Sequence, residues 1–151
     1  MRAGLFVFTL IFCACSMKAR ERAEFAAALL LVQKEVPVLA RGLKTSQVAL
    51  TMEEHDSIMR LAKNDRIASL VYLNGAGEAR WYRDPHPDHG ICLWAPSTIK
   101  FETDALDRAA RTKAPAYART SIGAVEVAVP IVLKNKIQGV VIVQYYSGSL
   151  G

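Results

Sequence analysis

Asp84, His86, Asp88, His89 and Cys92 crowd into the stretch 84–92, and side chains of these types hold metal ions. Their spacing matches no paired Cys or His pattern on a helix or a knuckle. Pro85, Pro87 and Gly90 mark the stretch as a loop of the kind common at surfaces. No metal is therefore expected, with His86, His89 and Cys92 as the alternative set. Covalent catalysis through Cys92 would need His86 or His89 held beside the thiol as a base. Closeness along the chain does not supply that, and a buried or half-buried thiol is the simpler reading. Gly75-Ala76-Gly77 lacks the third glycine and the following helix that a phosphate-cradling loop requires. These residues give no enzyme and no cofactor.

A second group is better suited to binding than to catalysis. Trp81, Tyr82, Arg83, Trp94, Tyr117 and Arg119 fall on the second strand, a covering segment and the third strand. Aromatic walls with one or two fixed guanidinium groups suit a small carboxylate, such as an organic acid or amino acid, because arginine grips it bidentately. The competing reading makes the aromatics core and the arginines solvent-facing. Both readings stand at this point.

Positioning such a pocket falls to the elements around it. The run 67–73, IASLVYL, has the length and the β-branched and aromatic content of a buried strand. Asn74-Gly75-Ala76-Gly77 reverses the chain, and 78–83 returns as a second strand. Before this hairpin, 18–36 is built of strong helix formers, with Ala23, Ala26, Ala27, Leu30, Leu31 and Lys34 along one side. Pro37 is expected to kink or break that helix, leaving a shorter piece to about Gly42. Thr51-Met52-Glu53-Glu54 is a capping box opening a helix to about Lys63, with His55, Ile58, Met59 and Ala62 on its inner stripe. Downstream, 103–112 reads as a helix with Thr103 as its cap, and Pro115 ends it. Strands follow over 116–121, 124–133 and 137–147, the last two joined by a turn at Lys134-Asn135-Lys136.

VEVAVPIVL and IQGVVIVQYY are too continuously apolar for a sheet with one wet face. The long helix is expected to cover one face and the segment 85–113 the other. Pro130 inside a strand signals an edge or a bulge. The fold class is α+β, an antiparallel five-stranded sheet with a long N-terminal helix packed behind it.

The 151 residues suit one domain with an N-terminal appendage, and 52% hydrophobic residues supply an ample core. A charge of +5 invites a nucleic-acid partner. The basic residues are spread along the chain, however, beside Asp and Glu on helical stretches, without the clustered face that phosphate binding needs. No nucleic acid is expected. Cys13, Cys15 and Cys92 make no closed set of disulfides. Residues 3–17, AGLFVFTLIFCACSM, follow Arg2 and precede Lys18 and Arg20, as in a signal peptide or a short membrane anchor. This divides the chain into 1–17 for targeting or anchoring, 18–147 for the folded domain, and 148–151 as a frayed end.

The order helix, helix, strand, Gly-containing turn, strand, helix, three strands resembles the extracytoplasmic Cache-type sensors, relatives of the PAS fold. The residues that carry the likeness are Asp65-Arg66-Ile67-Ala68-Ser69-Leu70 and the turn before Trp81. To these add 103–109, Val129-Pro130-Ile131 and Ile137-Gln138-Gly139-Val140-Val141. The likeness runs over about 18–146, and no single motif in it is diagnostic. It implies an exported, periplasmic or membrane-anchored module in signal transduction whose long helix leaves the membrane and whose other sheet face binds a small molecule. Because contact positions vary among such sensors, it implies a region rather than fixed ligands, here Trp81, Arg83, Trp94, Tyr117 and Arg119. Sensors of this kind usually continue through a second transmembrane helix into a signalling module, and no such span follows here. Either signalling through a partner protein or a free-standing binding domain is therefore expected, with a homodimer through the exposed side of the long helix as a further option. Roadblock or profilin-like scaffolds share much of the element order. They give the alternative, a protein-interaction module without a small-molecule ligand.

Overall fold

In the computed structural model of the chain, residues 3–44, 49–83, 101, 103–146 and 148 are described, with side chains from residue 17 onward except at 82 and 83. The chain folds as α1 (Ala3–Leu43), α2 (Met52–Ala62), β1 (Ile67–Asn74), β2 (Ala79–Arg83), α3 (Ala105–Thr112), β3 (Ala116–Arg119), β4 (Val125–Leu133) and β5 (Lys136–Tyr145). The fold is α+β: a five-stranded sheet in the order β2-β1-β5-β4-β3, antiparallel at every pairing, with the long helix behind it.

Helix α1 runs straight through Pro37, against the expected break. Pro37 and Gln33, the residue whose carbonyl loses its amide partner, both sit on the exposed side, where a freed acceptor is open to solvent rather than sealed in the core. The buried stripe also has a different phase from the one expected. Glu24, Ala28, Val32, Leu39 and Gly42 face inward, while Ala23, Ala26, Leu30 and Lys34 are exposed. Residues 26–32 are apolar nearly all round, so periodicity alone cannot say which side meets the sheet, and an inward glutamate disguises the answer.

The capping box forms as the sequence predicts. The Glu54 amide donates to Thr51 Oγ1 at 3.2 Å, and Glu54 Oε2 accepts from the Thr51 amide at 2.8 Å. The inner face of α2 is Glu54, Ser57, Ile58, Leu61 and Ala62, while His55 points outward beside Asp56. At α3 the expected cap shifts by one residue. Asp104 occupies the N-cap without a side-chain capping bond, and Thr103 Oγ1 accepts the Ala105 amide at 3.1 Å.

All three hairpins close through left-handed backbone, the β3–β4 turn at Gly123 with φ +84°. Asn74 Oδ1 accepts from the amides of Ala76 and Glu78, and Gly77 takes φ +80°. Lys134 and Asn135, at φ 49° and 60°, form the two-residue turn between β4 and β5, which matches the right-handed twist of the strands. Pro130 is tolerated because β3 stops at Ala116, opposite Ala128, so among the described residues β4 has no neighbour on that side beyond it.

Alternation along the strands divides the core into two layers. Leu70, Tyr72, Val127, Val129, Val141 and Val143 pack against α1 and α2. Val71, Leu73, Ala128, Val140 and Ile142 form the layer beneath Ala105 and Ala109 of α3. Helix α3 lies over β3, β4 and β5. The rest of the cover expected on that face, 85–100, lies outside the described residues.

Candidate functional site

Each carrier of the expected pocket has a definite place. Trp81 is buried against Tyr72 in the layer facing α1. Tyr117 stacks on Phe25 of α1, ring centroids 4.3 Å apart and planes 24° from parallel. Arg119 ties β3 to α1: its Nη1 donates to the Gly123 carbonyl at 3.0 Å, and Glu21 and Glu24 lie 3.7 and 3.6 Å from its other nitrogens. Trp81 thus stands on one edge strand and Tyr117 and Arg119 on the opposite one, across four strand spacings, roughly 19 Å. All three face the long helix, so the fold does not bring them together on the face beneath α3. Arg83 is the register partner of Leu70 at the end of β2. Its side chain lies outside the described residues, as do Trp94, His86, His89 and Cys92. Among the described residues no three His, Cys, Asp or Glu side chains gather as a metal ion would require.

Two polar constellations not anticipated from the sequence are buried in the sheet. The first joins α1, α2, β1 and β2. Glu54, fully buried, accepts from the Tyr72 hydroxyl at 2.9 Å and lies 3.1 Å, through both oxygens, from Arg80 Nη2. The Arg80 guanidinium sits 5.8 Å from the centre of the Tyr72 ring, within cation–π range. Burial, together with the Glu54 carboxylate beside it, pushes the Tyr72 hydroxyl far above its ordinary pKa. Gly42 completes the arrangement, because a Cβ there would come 2.0 Å from Glu54 Cδ. With its oxygens engaged by Thr51, Tyr72 and Arg80, Glu54 is a structural lock. The neighbouring cleft of about 390 Å³, lined by Arg41, Gly42, Thr51, Met52 and Glu53, opens at the start of α2, where the capping box already satisfies the helix amides.

The second constellation lies on the opposite face. Ser69 of β1, Gln144 of β5, Glu126 of β4 and Ala118 of β3 are register partners in one row across four strands. Alternation sets this row on the side of Ala128 and Ile142, beneath α3. Glu126 is 2% exposed and Ser69 8%. Thr103, just before α3, donates its hydroxyl to Glu126 Oε1 at 2.6 Å, and Gln144 Nε2 reaches Oε2 at 3.3 Å. Gln144 Oε1 is buried with no hydrogen-bond donor. The sequence carried a signal for this row: a lone glutamate in β4, and Gln144 closing an apolar run of β5, inside strands otherwise too apolar to have a wet face. The row can accept hydrogen bonds and positive charge, and it offers little to an anion.

The class defined here is an α+β protein with one antiparallel sheet, a helical layer behind it and an acceptor-lined face in front. No protein-family model matches the chain, and no curated protein matches it. Among the described residues, no helix is long and apolar enough to cross a membrane. Most of the apolar stretch 3–17 falls where side chains are not described.

Proposed function

We propose that this chain is a small-molecule-binding sensor module of the Cache type, acting by binding rather than catalysis, and signalling through a partner protein. The observation that carries the reading is the polar row Ser69–Gln144–Glu126, with Ser69 and Glu126 buried and Gln144 half-buried, in an apolar sheet face turned away from the long helix. Polar groups placed within an apolar surface cost folding free energy unless something uses them, and small-molecule sites have this composition. Helix α1 supplies the route outward. Its 41 residues span about 60 Å at 1.5 Å each, and Arg119 latches it to β3 near Glu21 and Glu24. Export or membrane anchoring belongs to the proposal and rests on the apolar run before Lys18.

A thermal-shift screen of the full chain against organic acids, amino acids and amines tests this reading. At least one class should raise the midpoint in a saturable way. No stabilisation by any class would contradict it.

One observation favours the second reading, a protein-interaction scaffold. Leu30, on the outer side of α1, is 62% exposed. If that side pairs with a second copy or a partner, Leu30→Asp will shift the sedimentation coefficient of the assembly and leave the melting midpoint nearly unchanged.

A further inference from the structure

Among the described residues three glutamates are almost wholly inside the protein, and their surroundings differ in one respect. Glu54, fully buried, has Arg80 at 3.1 Å. Glu24, 4% exposed, has Arg20 at 3.1 Å and Arg119 at 3.6 Å. Glu126 is 2% exposed, and among the described residues no lysine, arginine or histidine nitrogen reaches it. Its donors are both neutral, the Thr103 hydroxyl and the Gln144 amide. A buried carboxylate is ordinarily paired, because the desolvation of its charge is not recovered from neutral hydrogen bonds alone.

Gln144 strengthens the contrast. Its Nε2 points to Glu126 Oε2, which turns Oε1 the other way, into a buried position with no donor. Exchanging the amide's oxygen and nitrogen would not relieve this, since it would set oxygen against the carboxylate. The strand register puts Ser69 beside Gln144 as the next polar group in the row. Acceptors therefore outnumber donors at the Glu126–Gln144 pair: a carboxylate with lone pairs to spare and an unused amide oxygen, beside a Ser69 hydroxyl that can either donate or accept.

We propose that the molecule received on this face carries a cationic nitrogen with several N–H donors, a protonated amine or a guanidinium, held by Glu126 and Gln144. The proposal rests on the reading of the chain as a binding module and names the ligand chemistry of that same face. An ammonium brings the missing positive charge to Glu126 and a donor to Gln144 Oε1, with a further N–H for Ser69. A carboxylate would meet like charge. Of the two arginines that the sequence offered for a carboxylate, Arg119 is engaged by Glu21 and Glu24 on the other side of the sheet, and the Arg83 side chain lies outside the described residues.

The test uses thermal shift of the full chain with ethanolamine, putrescine and agmatine, set against acetate, succinate and the neutral ethylene glycol. The amines or the guanidine should raise the midpoint by about 3 °C or more at saturation, and the acids and the diol should not. Glu126→Gln, which keeps the shape and removes the charge, should abolish that rise while the unliganded midpoint stays the same or increases. Gln144→Met, which removes only the orphan acceptor, should weaken the rise and provides the answer if Glu126→Gln does not fold. Stabilisation by acids and not by amines would overturn the cationic ligand and leave the binding module standing. So would an amine shift that survives both substitutions, since the amine would then bind elsewhere. No shift with any probe would overturn both.

Discussion

Glu54 and Glu35 show how differently two carboxylates between the same pair of helices are used. Glu54 is sealed among Thr51, Tyr72 and Arg80, so removing it takes a carboxylate partner from a largely buried arginine and an acceptor from a buried phenol. Glu54→Ala is expected to cost about 3–5 kcal/mol in urea unfolding, the range for breaking a buried pair. Gly42→Ala should cost about 1–3 kcal/mol by driving a methyl into the same carboxylate. Glu35 is partly exposed, receiving Arg60 at 3.0 and 2.8 Å and the Ser57 hydroxyl at 2.6 Å. The Arg60 hydrogen bonds hold the Glu35 carboxyl below its usual pKa, against some opposing desolvation. A carboxyl depressed in the folded state adds stability above the ordinary carboxylate range, and that increment is lost as pH falls through the lowered value. In acid titration followed by circular dichroism, Arg60→Ala should therefore reduce stability at neutral pH and flatten its fall toward acid. The effect will be modest because Arg60 stands in water.

At the scale of elements, hairpins and caps could be read from the sequence because their causes are local. Asn74 to Gly77 makes the expected turn by its own side-chain bonds, and Thr51 and Glu54 make the expected box. Helix phase and proline tolerance could not be read, since both depend on what lies against the helix. Pro37 survives within α1 because its side of the helix is wet, and Glu24 is inward because Arg119 arrives from a strand far along the chain. The same limit applies to Trp81, Tyr117 and Arg119: their types were informative, but which face each took depended on the β2 and β3 registers. Since Pro37 removes a backbone bond without packing in the core, Pro37→Ala should stabilise the chain by up to about 3 kcal/mol by denaturant midpoint. Gly77→Ala, at φ +80°, should lower stability by about 1 kcal/mol, with the turn otherwise open to the added methyl.

On the scale of the whole molecule, the two sheet faces have separate tasks. One is filled by α1 and α2 and held by arginine–glutamate pairs, and the other carries the acceptor row under α3. The most direct test of this division is amide chemical-shift mapping of the full chain, titrated with whichever compound raises the melting midpoint most. Perturbations should concentrate at Ser69, Thr103, Glu126 and Gln144. Perturbations confined to Trp81, Tyr117 and Arg119, with the row unmoved, would contradict the account.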